Sequence, residues 1–187
     1  MRYRLRPQSP GRRLVAARRA VVAACLVLAA MTAGPAVAVD EAALVAKRPP
    51  KLLSQTGLFD DPSSQKPAAG VIPFAITTPL FSDHALKTRF VYVPEGKAAR
   101  YHDTESFEFP VGSVLVKTFA FPADMRQPGK AVRLIETRLL VRGHDGWRAW
   151  AYLWNDEQTD AALNIAGAKV EIALAGIGET PDQPLRF

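Results

Sequence analysis

A lysine on an apolar strand, a carboxylate and guanidinium two residues apart, and a stripe of aromatics are the groups in this chain best placed to do chemistry. Lys117 alternates with Leu115, Phe119 and Phe121, so its ammonium shares a strand face with aromatic rings. Taking such a charge out of water costs several kcal/mol unless a countercharge meets it. Glu136 and Asp83 are the expected partners, and a lysine that snorkels to the rim of its sheet is the alternative. Glu136 and Arg138 fall on one face of a single strand, close enough to pair. Asp83, Lys87 and Arg89 set further charge beside a turn at residues 82–84. Asp83, Lys87, Arg89, Lys117, Glu136 and Arg138 read first as structural ion pairs and loop hydrogen bonds; they are grouped as a candidate binding face because they fall inside an ordered set of short motifs. Trp150, Tyr152 and Trp154 also share a strand face, which reads either as core or as a sugar-stacking platform for carbohydrate recognition.

The remaining chemistry is sparse. His84, His102 and His144 lie in different predicted loops with no i, i+4 spacing, so they do not make a metal signature. There is no Gly-x-Ser-x-Gly elbow, no phosphate loop and no paired-carboxylate pattern. The expectation is a binding domain with no catalytic residue, no metal and no cofactor of its own.

The stretch 132–155 organises the elements that must position these groups. Two apolar runs, 132–142 and 147–154, flank His144-Asp145-Gly146, and an Asp-Gly step between alternating runs is a strong hairpin signal. In the first run Arg133, Ile135, Thr137, Leu139 and Val141 are expected on one face, and Val132, Leu134, Glu136, Arg138, Leu140 and Arg142 on the other. In the second, Arg148, Trp150, Tyr152 and Trp154 oppose Trp147, Ala149, Ala151 and Leu153. Both faces are substantially apolar, so the hairpin is expected to be central, covered on both sides or covered on one and ligand-facing on the other.

Further strands are expected at 71–76 (interrupted by Pro73), 88–93, 113–121 and 168–175. Residues 60–70 read as loop by composition, and residues 156–163 as a short helical turn. Short strands separated by Pro/Gly turns imply an all-β single domain, an antiparallel β-sandwich or jelly-roll-like fold, over 52–187. Residues 39–51 are expected to be a linker whose first half is a short helix or a frayed terminus.

Charge looks basic at +6, but the excess is local. Residues 1–38 hold seven arginines and no acid, leaving 17 Lys+Arg against 18 Asp+Glu, a net of −1. This argues against a nucleic-acid partner. The same 38 residues read as a signal peptide: a positive n-region, an apolar core at 20–31 and an Ala36-Val37-Ala38 cleavage site. The apolar run is short for a membrane span, so no stable span is expected after cleavage. Export through the twin-arginine route at Arg12-Arg13 and lipid anchoring at Cys25 are the variants. Cys25 is the one cysteine, so a chain cut after Ala38 has neither disulfide nor thiolate chemistry. The expected location is the periplasm or the secreted fraction.

An ordered set of short motifs goes further. Leu53-Ser54-Gln55-Thr56-Gly57-Leu58-Phe59, Val71-Ile72-Pro73-Phe74, Thr78-Pro79-Leu80-Phe81-Ser82-Asp83 and Lys87-Thr88-Arg89-Phe90 are followed by the segment from Phe109-Pro110 to Phe119. Glu136-Thr137-Arg138-Leu139-Leu140, Asp145-Gly146-Trp147, Tyr152-Leu153-Trp154-Asn155 and Gln158-Thr159-Asp160-Ala161 complete it. From about residue 52 to 167 the chain resembles the N-terminal domain of a family of bacterial periplasmic dihaem c-type cytochromes. In that family a region with Cys-x-x-Cys-His haem sites follows this domain, and covalent haem c needs those cysteines and the axial histidine. No such motif is present here. The resemblance therefore implies an accessory domain without its own haem, acting alone or beside a c-type cytochrome that is encoded separately, as in a truncated or split gene.

Overall fold

The computed structural model describes residues 38–176 and the backbone of Pro184–Arg186. The leader, its twin-arginine and Cys25 variants and all of the cleavage signal but Ala38 lie outside the described residues. The fold is all-β and antiparallel. Six strands, β3 (Val71–Pro73), β4 (Leu86–Tyr92), β5 (Val114–Pro122), β6 (Val132–Gly143), β7 (Gly146–Trp154) and β8 (Ala161–Leu163), form one sheet in chain order. It is thus a meander in which each strand pairs with its sequence neighbour. The short strands β1 (Phe59–Asp61) and β2 (Lys66–Pro67) make one two-stranded ribbon, and β9 (Glu171–Ala173) with β10 (Pro184–Arg186) another.

The central hairpin forms where alternation places it. Gly143 pairs with Gly146, so His144 and Asp145 are the two loop residues. Positive φ falls on Gly146 (φ 124), not on Asp145, and glycine alone takes that conformation without a Cβ penalty.

Register then decides the faces. Val116 sits across from Leu139 and Phe90, Thr137 from Tyr152, and Leu139 from Trp150. Val116, Leu139, Tyr152 and Trp154 are buried in the main core with Leu53, Leu58 and Phe59, which come from the N-terminal segment lying across this face. Within the core Thr118 and Thr137 hydroxyls meet at 2.8 Å, and the Trp154 indole donates to the Thr137 hydroxyl at 3.0 Å. These buried polar atoms are therefore partnered. Tyr152 is fully buried and donates to the Pro50 carbonyl at 3.0 Å; burial pushes its phenol up to about 12.

Residues 39–51 are part of the fold and not a linker. Helix α1 (Glu41–Val45) starts with Asp40 accepting from the Ala43 amide at 2.9 Å, and Leu44 enters the core. Arg148 donates to the carbonyls of Val45 and Ala46 at its end. Tyr92 donates to Glu41 at 2.5 Å; burial first, then Glu41, pushes its phenol up to about 12. A 3-10 turn, Leu53–Thr56, ends at Gly57, whose Cβ would meet the Ala38 carbonyl.

Two further expectations are corrected. Residues 60–70 contain the β1–β2 ribbon, closed by Asp61 accepting from Ser63 and Ser64. Residues 156–163 are a turn running into β8 and not a helical turn. Asn155 and Asp160 build that turn: Asn155 accepts from the Thr159 amide at 2.9 Å, and Asp160 accepts from the Ser54 amide and hydroxyl at 3.1 and 2.6 Å. The motif 155–161 is thereby explained as structure.

One bulge redirects β6. The pairing slips between Phe119 and Ala120, opposing Glu136 to Phe119 but Leu134 to Ala120. Ile135 is the extra residue, and alternation reverses on its N-terminal side. Leu134 therefore joins the main core, while Ile135 joins a second cluster with Phe119, Phe121, Ile172 and Leu174 on the sheet's other face. This corrects the expected placing of Ile135 with Thr137, Leu139 and Val141.

Candidate functional site

The second face of the meander carries the charged residues. It is capped at one end by the Phe119, Phe121, Ile172 and Leu174 cluster and left accessible over the middle of β4–β7. On that middle part Arg89 lies directly across from Lys117, and Lys117 directly across from Arg138. The next row is Lys87, Phe119 and Glu136. Four cations and one carboxylate are thus gathered on two adjacent rows of three strands.

Cross-strand partners sit about 4.5–5.5 Å apart at Cβ, and like charges there are destabilising by a few tenths of a kcal/mol to about 1 kcal/mol. Glu136 offsets one cation by pairing with Arg138, as the i, i+2 spacing leads one to expect. The pair is not the expected partner of Lys117. Asp83 is not either: it is exposed in the turn before β4 and makes no ion pair among the described residues. The Lys117 ammonium instead rests 4.5 Å from the centroid of the Phe119 ring, and the Arg138 guanidinium 4.8 Å from it. Lys87 donates to the Leu80 carbonyl at 2.8 Å and Arg89 to the Lys87 carbonyl at 3.4 Å. Among the described residues, then, Lys87, Arg89 and Lys117 have no carboxylate within ion-pair distance. Burial first, then Arg89, Lys87 and Arg138, holds the Lys117 ammonium below the usual lysine range.

Beside the row is an apolar hollow of about 350 Å³. Phe74, Ile76, Leu115, Leu140 and Ala149 line it, and Arg89, Lys117 and Arg138 form its charged border. Phe74 and Ile76 follow β3, and the Phe74 amide donates to the Arg89 carbonyl at 3.0 Å, which ties the wall of the hollow to the row. A second hollow of about 410 Å³ shares Arg138 and Ala149 and extends past Glu136 to Asn164 and Ile165. Small-molecule sites are typically hollows of about 300–1,000 Å³, mostly apolar, with a few placed polar groups.

Of the aromatic stripe only Trp150 reaches this region, at the wall of the second hollow. Tyr152 and Trp154 are buried and Trp150 packs against the main core, so the three do not present a sugar-stacking platform. The three do share a strand face, as alternation predicts, but alternation does not say which face the N-terminal segment covers. Besides Phe74 and Phe81, the exposed aromatics among the described residues are Tyr101, Phe107 and Trp147, linked through Phe109 by centroid distances of 5.8, 6.4 and 5.8 Å. Their planes are inclined by 58° to 74°, an edge-to-face cluster and not a flat platform. It packs the 100–109 loop, closed by the Arg100–Glu108 pair, onto the hairpin. Sequence reasoning missed it, although Tyr101, Phe107, Phe109 and Trp147 are all near turn signals.

The histidines have separate surroundings. His84 meets Phe81 edge-on at 5.0 Å, His102 lies 3.7 Å from Glu108, and His144 is exposed in the hairpin turn. Among the described residues no three His, Cys, Asp or Glu side chains gather as a metal-binding group, and no helix is long and apolar enough to cross a membrane. Comparison with known proteins finds no matching family model, no matching curated protein and no matching solved structure.

Proposed function

We propose that this chain is an exported, non-catalytic binding module, an accessory domain of a haem-protein system that leaves the redox centre to its partner. The observation that carries the binding reading is the Arg89–Lys117–Arg138 row across an accessible sheet face, bordered by an apolar hollow. Outside the leader the chain is nearly neutral, so Lys87, Arg89 and Lys117, which have no carboxylate within ion-pair distance among the described residues, represent with Arg138 a local concentration of charge on one face. The leader supports a periplasmic or secreted location. The motif order supports a c-type cytochrome as the partner, with Lys87, Arg89, Lys117, Glu136 and Arg138 at or near the contact and Asp83 at its margin.

Titration of the purified domain against the c-type cytochromes of the same periplasm tests this reading. Association should weaken as salt rises, because rim charges are screened at physiological ionic strength. Replacing Glu136 and Arg138 together with alanine should weaken it further while shifting stability by less than about 1 kcal/mol, the usual worth of an accessible pair. Association with none of them, or association that ignores both salt and this double variant, removes the partner.

A further inference from the structure

We infer that the row and its hollow bind a small amphipathic organic anion, with one terminal anionic group over Lys117 between Arg89 and Arg138 and an apolar body against Phe74, Ile76 and Leu140. The inference rests on reading the second sheet face as the binding face, but not on the cytochrome partner. Three features select this ligand class. First, Arg89, Lys117 and Arg138 stand side by side across three strands, and only Arg138 has a carboxylate, Glu136. An anion arriving there meets two forked guanidinium groups flanking an ammonium, which together offer many donors to a carboxylate or phosphate oxygen. Second, the hollow that these cations border is lined by apolar side chains, several of them accessible, so a bare inorganic anion would leave that surface wet. Third, its volume of about 350 Å³ suits a short alkyl or aryl chain and not a polymer.

The Phe119 ring sets the geometry. It lies beneath both the Lys117 ammonium and the Arg138 guanidinium, so these two heads are held together over one ring and do not extend freely into water. Phe119 is itself buried against Phe121 and Ile135, which makes the platform rigid. A carboxylate and a phosphate head share the chemistry required; the experiment separates them.

Calorimetric titration with octanoate, octyl phosphate, acetate, inorganic phosphate and 1-octanol tests the inference. Octanoate or octyl phosphate should bind at least tenfold more tightly than acetate, inorganic phosphate or octanol, and the tighter of the two identifies the head group. Lys117→Met should reduce that affinity at least tenfold without lowering the melting temperature, and Arg89→Gln should do the same if it folds. Octanol binding as tightly as octanoate would reduce the site to an apolar patch, and acetate or inorganic phosphate matching the octyl anions would reduce it to a bare charge cluster. Either result overturns the inference, as does an undiminished affinity in both variants or no binding of any octyl anion. Octyl-anion binding in a protein that ignores every cytochrome would uphold this inference while removing the partner proposed above.

Discussion

Tyr152→Ala is expected to destabilise the domain by about 3–5 kcal/mol, the usual cost of truncating a buried aromatic. Tyr152 is fully buried, and its ring stands in the main core between its cross-strand partners Thr137 of β6 and Leu163 of β8. Its hydroxyl is the donor to Pro50, where the N-terminal segment crosses the sheet. Truncation would thus open a cavity and leave the Pro50 carbonyl without that donor. Tyr152→Phe isolates the second effect and should cost about 1 kcal/mol, the net worth of an ordinary hydrogen bond. Chemical denaturation of the two variants measures both. A loss below about 1 kcal/mol for the alanine variant would mean that this face of β7 is not core, and would return the stripe Trp150, Tyr152 and Trp154 to solvent and to ligands.

Gln158→Ala carries the second largest expected effect, about 2 kcal/mol. Beyond Glu136 the β6–β7 pairing stops, because β7 ends at Trp154 and β6 is bulged at Ile135. The Leu134 amide and carbonyl face that gap. The Gln158 side chain fills it as a strand would, accepting from the Leu134 amide at 2.6 Å and donating to the Leu134 carbonyl at 3.0 Å. Its backbone takes a positive φ of 56 to reach them. Removing the carboxamide leaves two backbone groups of a buried residue without those partners, each costing about 1–3 kcal/mol where water cannot replace them and less where it can. Glu157→Ala, an exposed neighbour, serves as the control and should be near neutral. Amide exchange at Leu134 should accelerate in the glutamine variant alone; unchanged protection there would show that the clamp is dispensable.

The four long strands were legible because each has enough alternating residues to announce itself, and hairpin chemistry joined two of them. β4 through β7 fall within two residues of their expected bounds. Of the short strands, β3 and β9 fall inside the runs expected at 71–76 and 168–175, while β1, β2 and β8 were not legible. β1, β2 and β8 have two or three residues each, too few for a period, and they are held by remote groups such as the Asp160–Ser54 contact across 106 positions. The bulge at Ile135 was hidden for a related reason: it exists only relative to β5, so nothing within β6 marks it. The candidate site was half legible. Alternation correctly put Glu136 with Arg138, and Lys117 with Phe119. It could not supply the register that lines up Arg89, Lys117 and Arg138, which depends on three strands at once. Nor could it tell which face residues 39–59 would cover, and that cover is what buries Tyr152 and Trp154 and leaves the charged row accessible.

The central claim is that the cationic row stands on the second sheet face against its own repulsion, for a ligand outside the chain. If so, Lys117 costs stability. Methionine keeps the length of the side chain and a contact of comparable worth on the Phe119 ring while removing the charge. The lowered lysine also sets a pH dependence: the folded state gives up this proton before the unfolded state does, so stability rises with pH from the lowered value toward 10.5. The most direct measurement is the melting temperature of Lys117→Met beside that of the wild type, from pH 7 toward pH 10.5. The account predicts a variant about 2–4 °C more stable at pH 7, as expected for relief of about 1 kcal/mol in a domain of this size, with the gap closing as the pH rises. A variant that melts below the wild type at pH 7 would make Lys117 a structural residue and contradict the claim.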